Sequence, residues 1–401
     1  MAVKTIVHRV NLDTLGGVEP LFYHYLQQHN RAQFEHHVVV GAKKMLPYYR
    51  EGIAANVKTV KHARYIGGIR IPKLLKSLRD FNCRRILKNK EADLLVLWNC
   101  FEDRSLMKAA GQYNYPAVFY DHGSAVAQGE SDWNNNFLKN LRGVISCSYA
   151  SQRYIQLRWG FKGPMRQVSN PLRHDLEGMP KLPKRFPKER PFRIGLVGRL
   201  ISIKAANLAI HAAAELIKQG YKVELYIAGK GNEERNLKEY AQLLGIAKQV
   251  HFKGVILNIS QFYEFIDLQV APSIRESFGL SCFESSCHGC PVVASHVDGL
   301  PEVVHHGITG ITIKPRLPVS EMGRFGGNAN KMPYLVYDPA DDAIVPPKFV
   351  PPEELAQAIA GLLDNPGKYE AMSRASLEKT ACHPSFNDYV KNLESALLEL
   401  C

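Results

Sequence analysis

Glu276-Ser-Phe-Gly-Leu-Ser-Cys-Phe-Glu284 sets two carboxylates around a glycine, with seven residues between them. The preceding Asp267-Leu-Gln-Val-Ala-Pro272 reads as a buried strand stopped by proline. Small or helix-tolerant residues from Gly279 to Cys287 predict a helix, Gly289 ends it, and Pro291-Val-Val-Ala294 begins another strand. Strand, turn, helix and strand in that order form the repeating unit of a parallel α/β sheet. A helix start after a strand offers unpaired N–H groups and a positive dipole end, which suit an anionic phosphate. The amides of Phe278, Gly279 and Leu280 are the expected donors. Glu276 before the helix and Glu284 inside it can take hydroxyls on either side of a diphosphate. Taken alone, the pair also fits a helix-capping acid and a solvated helix acid.

The same alternation runs along the whole chain. Strands are expected at Thr5–Val10, His37–Val40, Leu94–Trp98, Ala117–Asp121 and Val144–Cys147, then at Phe192–Val197, Val223–Ala228, Val250–Phe252, Leu268–Ala271 and Val292–Ala294. Between the two sets, Gly178-Met-Pro-Lys-Leu-Pro-Lys-Arg-Phe-Pro-Lys-Glu-Arg-Pro191 breaks all periodicity and reads as a linker. At 401 residues the chain exceeds one typical core, so two doubly wound α/β domains are expected, 1–177 and 192–383. Residues 315–350, with Gly323-Arg-Phe-Gly-Gly327 and several prolines, read as a long loop or lid. Helices are expected at Glu353–Leu363 and Phe386–Leu400.

A hydrophobic content of 45% with 22% charged residues is that of a globular protein. No apolar run approaches a membrane span, and the N-terminus enters a strand-like Thr5-Ile-Val7 rather than a signal peptide, so a cytoplasmic protein is expected. The eight cysteines lack the dense spacing of a disulfide scaffold and are expected as free thiols. The net charge is +13, and residues 1–180 carry 26 Lys and Arg against 14 Asp and Glu, so the surplus belongs to the first domain. Between Lys61 and Lys90 lie ten Lys or Arg and a single acid, Asp80. Leu74, Leu75, Leu78 and Phe81 recur there at helical spacing, which predicts a basic amphipathic helix docked on its sheet by those apolar residues. Such a cationic face suits a phosphate-rich acceptor or an anionic membrane surface. Basic charge is also the mark of nucleic-acid binders, but no aromatic-interleaved basic motif accompanies it, and no nucleic-acid partner is expected.

Gly195-Leu-Val-Gly-Arg-Leu-Ile-Ser-Ile-Lys204 leaves the first strand of the second domain. Arg199 as a fork and Lys204 as a point charge can straddle a diphosphate. A lysine near a helix start is electrostatically unfavourable without an anion. Asn11-Leu-Asp-Thr-Leu-Gly-Gly-Val-Glu19 follows the first strand, and the paired Gly16 and Gly17 let a backbone approach a ligand. It is not the three-glycine dinucleotide fingerprint. Tyr120-Asp-His-Gly-Ser124 puts His122 at a strand end, with Asp121 expected to be structural. Cys287-His-Gly-Cys290 lacks a second Cys or His pair and is expected to be structural. No Asp-x-Asp occurs, so no metal cofactor is expected in catalysis.

These motifs, with Ala271-Pro-Ser273, Gly289-Cys-Pro-Val-Val-Ala-Ser295, Gly299-Leu-Pro-Glu302, Gly307-Ile-Thr-Gly310 and Asn170-Pro171 in order, resemble the retaining glycosyltransferases of the GT-B fold, family 4, also described as glycosyl transferases group 1. The resemblance implies two Rossmann-like domains facing a central cleft, with the final helix, 384–401, packing back on the N-terminal domain. It implies that Glu276 holds the donor sugar and Glu284 the ribose. Arg199 and Lys204 take the pyrophosphate, Gly16 and Gly17 lie near donor and acceptor, His122 faces the sugar, and backbone at Val255 holds the base. The implied activity is retaining transfer of a hexose-type sugar from a nucleotide diphosphate, UDP first and GDP-mannose next, to a hydroxyl of a growing glycan such as lipopolysaccharide or another lipid-linked glycan. The implied place is the cytoplasm or the inner face of the membrane. A sugar-nucleotide epimerase or a phosphorylase of the same fold would share these features without needing the basic first domain.

Overall fold

The computed structural model describes every residue except 1, 15, 42–43, 89, 102, 130, 174–175 and 177–180. The chain divides into two compact units, Met1–His174 with Pro384–Cys401, and Asp175–His383.

In the first unit the strands are β1 (Lys4–Val10), β2 (Phe34–Val40), β3 (Thr59–His62), the hairpin β4 (Tyr65–Ile66) and β5 (Ile69–Arg70), β6 (Leu94–Trp98), β7 (Ala117–Asp121), β8 (Gly143–Ser146) and β9 (Met165–Gln167). Seven of them form a sheet of order β3-β2-β1-β6-β7-β8-β9, parallel throughout. The runs in β6 and β7 are buried at every position, as expected of a parallel sheet covered on both faces. The helix Phe386–Leu400 starts on a capping box of Ser385 and Asp388. It belongs to this unit: Glu394 accepts the amide of Asn30 at 2.7 Å, and Leu400 lies against Gly143 so closely that a Cβ there would meet its methyl at 2.6 Å.

The second unit holds β10 (Phe192–Val197), β11 (Val223–Ala228), β12 (Val250–Gly254), β13 (Leu268–Ala271), β14 (Val292–Ser295) and β15 (Gly310–Ile313). They pair in parallel in the order β12-β11-β10-β13-β14-β15. In both sheets the strand order reverses beside the first strand, so each unit has a crevice at the carboxyl ends of its strands. Its core centres on the alanine- and leucine-rich helix Ala206–Lys218.

Of the proline-rich 178–191 stretch expected as a linker, 178–180 lie outside the described residues, and the rest is strapped to the second unit. Lys184 Nζ donates to the carbonyls of Tyr263, Glu264 and Ile266 at 2.7–2.8 Å, at the end of the helix Ile259–Phe265, and Arg190 forms a two-pronged pair with Asp267 at 2.6 and 2.7 Å. A cation at a helix C-terminus satisfies orphan carbonyls, which anchors the strap.

Residues 315–350 are not a structureless lid. They fold into a 3-10 turn, Val319–Phe325, and the short antiparallel pairs Leu317–Pro318 with Lys348–Phe349 and Val336–Asp338 with Ala343–Val345. Met322, Phe325 and Phe349 join the core of the second unit, and Asn207 Nδ2 donates to the Phe325 carbonyl at 3.0 Å.

The basic segment differs most. After β3 the chain makes the β4–β5 hairpin, and the helix spans only Lys76–Leu87. It buries Asn82, Cys83, Ile86 and Leu87, whereas Leu74, Leu75, Leu78 and Phe81 are exposed. Helical spacing identifies a stripe, but only the packing decides which stripe faces the core.

Candidate functional site

In the second unit the carboxyl-end loops are stitched strand to strand by backbone hydrogen bonds. Gly229 donates to Gly254, Gly198 to Ala228, Leu200 to Lys230, Ile274 to Ile203 and Gly299 to Glu276, all at 2.7–3.0 Å. The rim runs from β12 across β11, β10 and β13 to the loop after β14. Gly229, at φ +134°, comes so near Gly198 that a Cβ would sit 1.8 Å from its carbonyl oxygen, so only glycine allows this closure.

On this rim the structure brings Lys204 and Glu276 into direct contact as an ion pair, each side chain about one-fifth exposed. Lys204 ends the short turn Ser202–Lys204 after β10, and Glu276 follows β13. Arg199 lies on the same loop, exposed to solvent. Phe278 is buried, and Gly279, at φ +91°, opens the seven-residue helix Leu280–Ser286. A Cβ at Gly279 would meet Leu300 and Val303 at 3.0 Å, so both its dihedral and its space exclude other residues. Among the described residues no acceptor takes the amides of Phe278, Gly279 or Leu280.

Glu284 lies inside that helix, buried, and the hydroxyl of Tyr263 donates to its carboxylate at 2.9 Å. Val255 stands at the far end of the rim, exposed, just after β12.

Sequence reasoning missed Asp298. This residue is buried, adopts φ +46°, and accepts the amide of Glu276 at 3.0 Å and of Tyr337 at 2.8 Å. Burial pushes its carboxyl up to about 6, opposed by the hydrogen bond from the Tyr337 amide. Its position one residue before Gly299-Leu-Pro-Glu302 was the available signal. It also missed the support behind Glu284, where His288 Nδ1 meets the Glu284 carbonyl and His288 Nε2 the Ser260 hydroxyl, both at 2.7 Å. Cys287 and Cys290 are free thiols pushed up to about 12 and 11 by burial. Among the described residues no group of three or more His, Cys, Asp or Glu is arranged to hold a metal ion.

In the first unit, His122 follows β7 and lies parallel to the Trp98 indole, ring centroids 6.0 Å apart. Its amide donates to Asn99 Oδ1 at 3.1 Å. Burial, opposed by a hydrogen bond with Asn170, holds the imidazole down to about 3, so it is neutral near pH 7. Asp121 accepts from the Ala125 amide and the Ser151 hydroxyl at 3.0 and 2.6 Å. Gly17 precedes the helix Val18–Gln28 at an ordinary φ of −82°, and a Cβ on it would meet nothing within 4 Å. Gly16 has no such space, because a Cβ would meet Glu19 Oε2 at 2.6 Å. The open side of Gly17 is therefore not required by the protein's own packing.

Two family models match consecutive parts of the chain: Glycosyltransferase Family 4 over residues 15–176 and Glycosyl transferases group 1 over residues 180–321. The chain belongs to this glycosyltransferase family. An uncharacterized glycosyltransferase of Methanocaldococcus jannaschii is 33% identical over 126 residues, which cover 31% of this chain and 32% of that protein. The match thus spans about a third of the curated relative's length. Among solved structures, the lipopolysaccharide outer core galactosyltransferase WaaB aligns over 100% of both chains with a TM-score of 0.72 and 14% identity. HepE of Anabaena, in complex with UDP-glucose, aligns over 98% of this chain and 99% of that one, with a TM-score of 0.67 and 18% identity. These likenesses place the family member in the GT-B fold, with two Rossmann-like units.

Proposed function

We propose that this chain is a retaining glycosyltransferase that moves a hexose-type sugar from a nucleotide diphosphate, UDP-sugar first, to a hydroxyl of a growing lipid-linked or surface glycan. The observation that carries the reading is the Lys204–Glu276 contact beside the free amides of Phe278, Gly279 and Leu280. It joins a cation suited to diphosphate and a carboxylate suited to sugar hydroxyls at the switch point between β10 and β13. The UDP-glucose complex of HepE and the galactosyltransferase activity named for WaaB are consistent with such a donor and acceptor.

In this reading the leaving diphosphate gathers negative charge as the sugar becomes oxocarbenium-like, and Arg199, Lys204 and the three amides stabilise it. Glu284 holds the ribose and backbone at Val255 the base. The departing phosphate takes the acceptor proton on the same face, so neither Glu276 nor Glu284 acts as a general base, and no metal is required.

A thermal-shift panel of UDP-, GDP-, ADP- and dTDP-sugars tests the donor, because selective stabilisation follows selective binding. Release of free nucleotide diphosphate only when acceptor glycan is added separates transfer from epimerisation. No stabilisation by any donor would overturn the reading.

A further inference from the structure

Glu284 is held at two points, and both holds trace to the helix Ile259–Phe265. At the side chain, the hydroxyl of the buried Tyr263 donates to Oε2 at 2.9 Å. At the backbone, the Glu284 carbonyl meets Nδ1 of His288 at 2.7 Å, while the His288 amide goes to the Ser285 carbonyl at 2.9 Å. A carbonyl only accepts, so Nδ1 carries the hydrogen. Burial lowers the pKa of this imidazole, which keeps the ring neutral near pH 7 and leaves Nε2 as an acceptor. The Ser260 hydroxyl fills that role as donor, at 2.7 Å to Nε2 against 3.3 Å to Glu264 Oε1. Ser260 and Tyr263 stand three residues apart and so share one face of the helix. The rings of Tyr263 and His288 lie 5.2 Å apart on that face.

The helix is itself tied down. Lys181 Nζ donates to the Ser260 hydroxyl at 2.9 Å and pairs with Glu264 at 2.6 Å, and Lys184 Nζ donates to the carbonyls at the helix end. Each bond of the series leads to the next: Lys181 to Ser260, Ser260 to His288, and His288 to the Glu284 carbonyl. Buried polar groups paired in this way are rigid, because breaking one bond leaves two groups unpaired out of water. The chain that enters the second unit is thereby linked to the carboxylate inside the helix Leu280–Ser286.

We propose that Tyr263 and His288 are positioning residues that make the donor site selective for ribose over its deoxy forms, by fixing the carboxylate of Glu284 on the ribose hydroxyls. The inference rests on the assignment of Glu284 to the ribose. An ionised carboxylate can only accept, and the phenol on one of its oxygens sets its plane. Ribose brings two neighbouring hydroxyl donors. A nucleotide without them leaves a buried acceptor unpaired, so the cost falls on the deoxy form. With the phenol or the imidazole bond removed, the carboxylate turns or its short helix shifts. Ribose then loses well-aligned bonds that a dideoxy nucleotide never made, and the diphosphate contacts are common to both.

The test is titration calorimetry of the full chain with UDP and 2′,3′-dideoxy-UDP, and with GDP and 2′,3′-dideoxy-GDP. Wild type should prefer the ribose form by on the order of tenfold to a hundredfold. Tyr263→Phe, which removes one hydroxyl and no packing, should cut that preference by about threefold or more, through weaker binding of the ribose form alone. His288→Phe should do the same, and His288→Asn, whose Nδ2 stands where Nδ1 was, should restore it. In a Glu284→Ala background, adding Tyr263→Phe should change nothing further, because the pair acts as one unit. Equal weakening of both nucleotides by Tyr263→Phe marks a merely structural role and overturns the proposal, as does an unchanged preference in that variant. If Glu284→Ala keeps the wild-type preference, the ribose assignment itself fails. If Glu284→Ala abolishes the preference and Tyr263→Phe preserves it, that assignment stands and only this inference falls.

Discussion

The carboxylate of Asp298 accepts the backbone amide of Glu276 at 3.0 Å, and its other oxygen accepts the amide of Tyr337 at 2.8 Å. One buried side chain thereby ties the loop that presents Glu276 to the folded 315–350 segment. The segment expected from sequence as a long loop or lid is part of the frame that aims a site residue.

Asp298→Ala should therefore lower kcat by loosening Glu276, with a smaller effect on donor KM. The loss of a charge-assisted bond at each amide corresponds to about 1.5–3 kcal/mol. Asp298→Asn can keep the same backbone dihedral, but only one of its two side-chain atoms still accepts. Steady-state kinetics of both variants check this, and an unchanged kcat in Asp298→Ala refutes it.

The same carboxyl gives a pH signature. Its folded value of about 6 lies above the ordinary 3.8, so the folded state binds the extra proton between about pH 4 and 6. Stability of the second unit should fall as pH rises through that window, by on the order of 2–3 kcal/mol from this group. The stability of wild type minus that of Asp298→Asn, measured by denaturant titration from pH 4 to 7, should fall with that slope.

Glu276→Ala and Glu284→Ala should separate kinetically. Glu284, held by Tyr263, is assigned to the ribose, so its loss should mainly raise donor KM. Glu276, paired to Lys204, is assigned to the sugar at the reacting end, so its loss should mainly lower turnover. Equal and small effects of both would remove the assignment.

The first unit should be acid-labile. Trp98 Nε1 donates to His8 Nδ1 at 3.0 Å, so His8 Nε2 carries the proton offered to His36 Nδ1 at 2.8 Å, and the His29 ring stands 4.3 Å from that of His36. Burial, with neighbouring histidines, holds His8 down to about 3 and lowers His36, and burial with the nearby Arg31 lowers His29. The unfolded chain then binds more protons below its ordinary 6.5. Stability present above that value should be lost as pH falls, roughly 1.4 kcal/mol per pH unit for each histidine involved. Trp98 fluorescence from pH 7 to 4 follows it, and His36→Phe should flatten the acid slope.

EDTA should leave sugar transfer unimpaired. Loss of activity with EDTA and its return with a single divalent ion would contradict the metal-free mechanism.

The chain by itself determined where most elements lie and which residues carry charge or glycine at their ends. β6, β7, β10, β11 and β13 and the helix Phe386–Leu400 appear at the expected bounds, because a buried parallel strand and an amphipathic helix each leave a period in neighbouring residues. Thr59–His62, Met165–Gln167 and the helix Pro366–Ala381 were not legible. The two strands are short edge pieces, and the apolar pattern of the helix is too weak to mark a face. Tertiary structure alone decided that Lys204 meets Glu276 and that Asp298 holds Glu276 in place. It also decided that 315–350 joins a core and that Leu78 and Phe81 face outward. Each depends on partners far apart in sequence or on which side of an element meets its neighbours. A hydrogen bond or a buried contact belongs to two surfaces, and a local pattern describes only one of them.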